Sequence, residues 1–445
     1  MRKITIIGGG SRNWAITFMR DLALDEGFEG ELNLYDIDQE ASLNNAEVAR
    51  RIFTLAGRQD RISCRAQADL GKALDGACFV IISIEPGLTE CRYGDLVLPE
   101  QYGILQTVGD TTGPGGIMRA RRALPLFFDF ARQIEKHCPD AWVVNYTNPM
   151  TLCTAALYRA FGSIKAFGCC HEVFGTQRYI AGLAEKWFNA PSIERKDIHL
   201  DITGINHFTF ATKASWNGVD LMPRLKEHAR DPFFLEDHSA IAEERKKSEK
   251  WFECDRLVAM AFLRDFEAIG AAGDRHLCEF VPFFLTSEDN IASYGITRTP
   301  YQWRIREAAR KKDLKFTDSE LNKGRSDEEG VAIMNALLGG SSLVTNINFP
   351  NHGQAPYLAQ GAIAETNALI SSSGISPLSA ALPSEALQHM IRSVSDEQSL
   401  VLDAMWEGDE QKLFQAFVSD PLVRLSLKAS RRLFDQMLKA SEIRY

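Results

Sequence analysis

The chain is 445 residues long, 45% hydrophobic, 24% charged and 10% aromatic, with a net charge of −9 from 50 basic and 59 acidic residues. These are the proportions of a soluble globular protein of about two or three domains whose core needs no disulfide staples. They exclude a disordered or collagen-like chain, and the acidic balance without a concentrated basic block argues against a nucleic-acid partner.

Residues 3–7 form a short β-branched run that ends in Gly8-Gly9-Gly10-Ser11. Helix-period apolar positions follow at Trp14, Ile16, Phe18, Met19 and Leu22, then a second strand over 31–37 and a helix over 41–55. Residues 79–84 and 142–146 read as buried strands, with a long helix over 115–136 between them, and 164–168 is another strand-like run. This alternation predicts a parallel α/β sheet with right-handed crossovers. The pattern changes near 170–200. Residues 198–214 are β-rich, 220–340 are mostly helical and well charged, and 343–349, 355–364 and a helical tail over 378–445 follow. The expected organisation is a Rossmann-type NAD-binding domain over 1–195 and an α+β catalytic, substrate and oligomerisation domain over 196–445.

No apolar run approaches the length of a bilayer span. Residues 1–3 lead straight into a strand with no cleavage site behind them, so neither a membrane partner nor a signal peptide is expected. Nine cysteines, odd in number and irregularly spaced, read as reduced thiols in a cytoplasmic protein.

The strand, the glycine turn and the helix that follows form the opening of a dinucleotide site. Gly8 and Gly10 let the backbone approach a pyrophosphate beside Ser11, on the helix N-terminus. Asp36, at the end of the second strand, is placed to accept from a ribose hydroxyl, and an acid there favours NAD over NADP. The third glycine of the G-x-G-x-x-G pattern falls at Asn13, and a plain glycine-rich turn is the alternative reading.

Four further clusters carry polar chemistry. Asn148-Pro149 follows the strand 142–146 at the sheet edge where ligands sit, although N-P is also a common turn. Cys169-Cys170-His171-Glu172 ends the run 164–168 and offers metal ligands or a nucleophile–base pair. Adjacent residues of an extended chain face opposite ways, so one of the two cysteines faces the cleft with a given partner. His207, in Gly204-Ile205-Asn206-His207, is able to complete such a site. No C-x-x-C is present, which excludes the common structural zinc sites. The third cluster is Gly273-Asp274-Arg275-His276 with Glu279. The fourth is the stretch 108–116, V-G-D-T-T-G-P-G-G, glycine-rich before a helix, whose amides are expected to cradle an anion or a sugar.

In this order the pieces resemble the NAD- and manganese-dependent glycosidases, family 4 of the glycoside hydrolases. The matching stretches are K-I-T-I-I-G-G-G-S at 3–11, L-Y-D-I-D at 34–38, N-Y-T-N-P-M at 145–150, G-C-C-H-E at 168–172 and G-I-N-H at 204–207. The resemblance covers essentially the whole chain. Residues 108–116, 169–176 and 272–280 look most like the alpha-galacturonidase members. Phospho-glycosidase members carry Asp directly after the metal-binding Cys, where this chain has His171.

The resemblance implies a lactate/malate dehydrogenase-like architecture and redox-assisted cleavage of alpha-galacturonides derived from pectin. NAD oxidises C3, a base removes the C2 proton, the C1 substituent is eliminated, water adds and NAD is regenerated, so there is no net redox change; this family is an exception to two-carboxylate hydrolysis. It further implies Cys170 and His207 as ligands of manganese or another divalent metal, with Cys169 facing away. Asn148 contacts substrate hydroxyls and His171 helps protonate the leaving oxygen. The base lies at Asp274 first and His276 second, a position that is Tyr in some members. A galacturonate carboxylate calls for a charge-assisted donor, for which Arg275 and Arg119 are the candidates. A homo-oligomer acting on a small oligosaccharide is expected. The same chemistry on alpha-glucuronides or alpha-galactosides, a simple NAD-dependent dehydrogenase and a non-catalytic NAD sensor are the alternatives.

Overall fold

The computed structural model describes residues 2–312 and 314–441 of the chain. Short apolar strands covered on both faces build its centre. β1 (Arg2–Ile7), β2 (Gly30–Tyr35), β3 (Ile62–Ala66), β4 (Phe79–Ile82), β5 (Trp142–Asn145) and β6 (Lys165–Gly168) pair in parallel in the order β3-β2-β1-β4-β5-β6. All of β4 is buried, as a strand between two helical layers requires. Its side chains alternate between two cores. Val80 and Ile82 pack with Met118, Leu124 and Phe127 of the helix Gly113–His137, whereas Phe79 and Ile81 pack with Phe18, Met19 and Phe53 on the opposite face. The helix Trp14–Ala23 enters that second core through Ala15, Ile16, Phe18, Met19 and Leu22, the apolar face that helical spacing marks out in the sequence.

A second, antiparallel sheet follows. β7 (Ile198–Ile205) pairs with β8 (Phe208–Trp216), which also pairs with β9 (Val219–Asp220) and β10 (Ile269–Gly270). The chain then returns to the first sheet. β11 (Leu343–Pro350), β12 (Ile363–Ser371) and β13 (Gly374–Pro377) are antiparallel, and β11 joins β6 through Asn348 opposite Gly168, which makes a sheet of nine strands. β11 to β13, from the later part of the chain, are thus structurally part of the first sheet.

Two local expectations differ from the fold. β3 is absent from the periodic reading because it is an edge strand that alternates buried Ile62 and Cys64 with exposed Ser63 and Arg65. The stretch 355–362 is turn and loop, and the strand begins only at Ile363. The tail forms helices Glu385–Glu407, Glu410–Ser419 and Leu427–Ala440; residues 442–445 of the expected helical tail lie outside the described residues. Among the described residues no helix is long and apolar enough to cross a membrane.

Candidate active site

Parallel strands place their carboxyl ends on one edge, and ligands of open α/β sheets bind there. The turn after β1 is pinned in three ways. Gly8 has φ +94°, and a Cβ on it would meet the Ser83 carbonyl oxygen at 1.9 Å. The Gly10 N–H donates to Asp36 Oδ2 at 2.8 Å. Asn45 Nδ2 donates to the carbonyls of Gly9 at 2.8 Å and Ser11 at 2.9 Å. Asp36 also accepts from the Asp38 N–H, and burial raises its carboxyl above the usual range. Asn13 makes no side-chain cap, so the first N–H groups of the helix Trp14–Ala23 stay open to an anion. Gly8, Gly10 and Ser11 therefore form one turn, with Asp36 from the end of β2 hydrogen-bonded to it, an arrangement that fits a dinucleotide.

Beside that turn lies a cleft of about 460 Å3 bordered by Ser83, Asp110, Asn148, Cys169, Cys170, His171, Glu172, His207, Asp274, Arg275, His276 and Arg304. The ends of β4, β5 and β6 supply Ser83, Asn148 and the cysteines. The β7–β8 turn supplies His207. Cys170 is buried, and its carbonyl accepts from Asn346 Nδ2 at 3.1 Å. Beneath it Glu365 on β12 accepts from Thr209 Oγ1 at 2.7 Å, Asn346 Nδ2 at 2.8 Å and Asn206 Nδ2 at 3.3 Å. Burial, with Glu365 and Glu172 adding to it, pushes the Cys170 thiol well above its ordinary value; a cation bound there reverses that balance. Both cysteines border the cleft, and Cys169 also packs into the apolar core with Phe167 and Val144.

His207 is buried and its ring lies 4.1 Å from that of His276. Burial, together with the neighbouring His276, pushes its pKa down to about 3, so it is the neutral imidazole that metals bind. Asn148 Oδ1 and His276 Nδ1 are buried atoms at this cleft with no hydrogen-bond partner. Among the described residues no three His, Cys, Asp or Glu side chains form a closed cage. Cys170 and His207 are an open two-residue set, with an orphaned amide oxygen at the same cleft, and this donor chemistry fits a divalent cation that shares its coordination with substrate oxygens.

The remaining candidates separate by what they already hold. Asp274 is buried, and its Oδ1 accepts the Ala259 N–H at 3.0 Å at the start of the helix Leu257–Phe266. Arg275 donates to the carbonyls of Trp251 at 2.8 Å and Thr107 at 2.7 Å and to Thr299 Oγ1 at 2.7 Å. Arg119 grips Glu85 with two nitrogens and the Asn148 carbonyl, at 2.9 Å, with the third. The Arg119 guanidinium is spent on the protein through all three nitrogens, whereas Arg275 spends its two terminal nitrogens and keeps a buried Nε without a partner. His171 is exposed, and its Nδ1 sits 3.1 Å from Glu328, whose carboxylate raises the imidazole pKa. Glu172 accepts the Gly273 N–H at 2.7 Å; burial works to raise its carboxyl, but His276 and His207 outweigh that and hold it at about 2.

The glycine-rich stretch does cradle an anion, but an internal one. The N–H groups of Thr107, Val108 and Gly109 converge on Glu279 Oε1 at 2.6, 2.7 and 3.0 Å. What the loop offers the cleft is Asp110. Burial works against its charge, yet His276, Arg92 and Arg119 hold its carboxyl well below the usual range.

Family models match both parts of the chain. Residues 3–185 match the family 4 glycosyl hydrolases, and residues 202–423 match the C-terminal domain of that family. The chain belongs to glycosyl hydrolase family 4. It is 41% identical to the alpha-galacturonidase of Thermoanaerobacterium saccharolyticum over 443 residues, 98% of this chain and 95% of that protein. The structure of lplD from Bacillus subtilis superposes with a TM-score of 0.87 at 39% identity, over 98% of this chain and 100% of lplD. A 6-phospho-beta glucosidase from Thermotoga maritima, solved with manganese, NAD+ and glucose-6-phosphate, shares the fold with a TM-score of 0.75 at 20% identity, over 99% and 98% of the two chains. Malate dehydrogenase from Cryptosporidium parvum shares it with a TM-score of 0.51 at 14% identity, over 92% and 100%. The dehydrogenase-like architecture expected from the sequence is the observed one.

In this family 4 glycosidase two of the charged residues at the cleft were not singled out by sequence reasoning. Asp110 lay inside a stretch read for its backbone amides. Arg304 is on the helix Tyr301–Lys312, a charged segment with no buried residue and no motif. It lines the cleft with Nε buried and unpartnered, and one long contact, Nη2 to the Val108 carbonyl at 3.4 Å. Burial, with Arg92 and Arg275 adding to it, lowers its pKa to about 10.

Proposed function

We propose that this glycosidase cleaves alpha-galacturonides, as in pectin-derived oligosaccharides, by the NAD- and metal-assisted elimination route with no net redox change. Kinship with alpha-galacturonidases at 38–41% identity supports the sugar class. The observation that carries the reading is Arg304, a guanidinium in the cleft whose Nε has no partner and whose one protein contact is a 3.4 Å approach to the Val108 carbonyl, whereas Arg275 at the same cleft makes three hydrogen bonds of 2.7–2.8 Å. A desolvated cation with free donors calls for an anion, and a uronate carboxylate offers one with matching geometry. Arg304 thus takes the place first considered for Arg275 and Arg119.

NAD at the Gly8–Ser11 turn beside Asp36 would supply the hydride acceptor for C3, and manganese or another divalent ion on Cys170 and His207 would supply a Lewis acid that acidifies C2. The side chains do the positioning and proton work. Asn148 Oδ1 accepts from a ring hydroxyl. His276 Nδ1, orphaned in the cleft, takes the C2 proton; the Asp274 carboxylate is occupied by backbone N–H groups. His171, whose pKa the Glu328 carboxylate raises, protonates the departing oxygen. The nine free cysteines support a reducing, cytoplasmic setting.

The test is to incubate the reduced protein with NAD, manganese and di-galacturonide in deuterium oxide and to follow C2 of the released galacturonate by NMR. Deuterium at C2 that is lost when NAD or manganese is withheld supports the route and the sugar together. Cleavage without C2 exchange sinks the mechanism, and cleavage of a glucuronide alone sinks the sugar. Arg304→Met is expected to lower kcat/KM on the galacturonide by about 10- to 100-fold, the worth of one hydrogen bond to a charged group.

A further inference from the structure

Thr111 and His207 are both buried, and Thr111 Oγ1 lies 3.1 Å from His207 Nδ1. The same hydroxyl is 2.7 Å from Asp110 Oδ1. A carboxylate has no proton to give, so the single hydroxyl hydrogen goes to Asp110. Toward the imidazole the hydroxyl oxygen is then only an acceptor. His207 must carry its proton on Nδ1, and its lone pair lies on Nε2, which makes no hydrogen bond among the described residues.

The geometry points to Thr111 as a positioning residue that, anchored by Asp110, selects the Nδ1–H tautomer of His207 and presents Nε2 to the cleft as the metal-binding nitrogen. This rests on the metal reading above and adds the residues that set it. The anchor is independent of any bound ligand, because the loop is fixed from both sides. Glu279 holds the N–H groups of Thr107, Val108 and Gly109, Asp420 Oδ2 accepts the Gly113 N–H at 3.0 Å, and Gln106 Oε1 accepts the Gly115 N–H at 2.9 Å. Groups that orient a ligating histidine from behind typically change metal affinity by about 10- to 100-fold when removed.

Two measurements test this on the full chain. The first is 15N NMR of the metal-free, histidine-labelled protein, with the His207 signal identified by its loss in His207→Asn. Protonation at Nδ1 in the wild type and its loss or redistribution in Thr111→Val is the expected result; protonation at Nε2 in the wild type overturns the proposal. The second is manganese affinity by EPR. Thr111→Val, which keeps the shape and removes the hydroxyl, is expected to weaken binding about 10- to 100-fold, and Thr111→Ser to restore most of it. Wild-type affinity in Thr111→Val, with the same melting temperature, overturns the proposal. A wild type that binds no manganese refutes the metal reading instead, and the NMR result still decides the tautomer.

Discussion

Asp274 and His276 lie two residues apart on one short turn, yet they answer to different neighbours. The Asp274 carboxylate satisfies the N–H groups that open the helix Leu257–Phe266, whereas His276 Nδ1 has no partner and lies against His207 in the cleft. His276→Gln is therefore expected to cut turnover and C2 exchange by about 10²- to 10⁴-fold, the usual worth of a general base, with an unchanged melting temperature. Asp274→Ala is expected to lower stability by about 1–3 kcal/mol, because it leaves buried N–H groups unpaired; thermal melts and C2 exchange on the two variants separate the roles. His171 carries a pH prediction. The Glu328 carboxylate raises its pKa, and a general acid works only while protonated, so activity falls as pH rises through that raised value. Glu328→Gln lowers it, and the high-pH limb of the kcat profile is expected to move to lower pH. At this scale Cys170, His207, Asn148 and Asp36 were legible because each sits in a contiguous motif at a strand end. Arg304 was not, because nothing on its own helix marks it, and the unpartnered Nε it brings to the cleft exists only in the folded chain.

The stretch 108–116, with Thr107 before it, shows what an element adds. Its glycines read as an anion cradle, and two of its N–H groups, with that of Thr107, do converge on a carboxylate, but that carboxylate is Glu279 from a turn far along the chain. Glu279→Ala strips the acceptor from three N–H groups at once and is expected to cost on the order of 3 kcal/mol, read as a shift of the urea midpoint. Glu279→Gln keeps one oxygen acceptor and is expected to recover most of that loss. Sequence periodicity captured the long helix that follows, because Ile117, Met118, Leu124, Phe127 and Ile134 recur at helical spacing. It had no means to find the partner of the loop, since a hydrogen bond to a residue 172 positions away leaves no local pattern.

Across the whole molecule the C-terminal helices close on the site from behind. Asp420 accepts the Gly113 N–H at the start of the long helix, and Glu397 of the helix Glu385–Glu407 is buried beside it with Oε1 unpartnered. Burial raises both carboxyl groups, with the Asp420 charge adding to the rise at Glu397 and the Glu279 charge adding to it at Asp420. The folded state therefore holds a proton that the unfolded chain releases in the ordinary carboxylate range. Stability is retained at low pH and falls as pH rises from that range through the raised folded values. Glu397→Gln is expected to flatten this dependence, with a gain in melting temperature at pH 8 that is larger than at pH 5.

The sequence by itself determined the parallel α/β core, the glycine turn after the first strand, the family and the short motifs that border the cleft. Each of these is written in consecutive residues or in a period of two or 3.6, which the backbone geometry of strand and helix dictates. Only the tertiary structure decided that β11 to β13 extend the first sheet through Asn348 opposite Gly168, that the Asp274 carboxylate is taken up by a backbone N–H while His276 Nδ1 stays unpartnered in the cleft, and that Arg304 is held there by a single long contact. These follow from pairings between distant segments, and whether a polar atom is satisfied depends on which of them close around it.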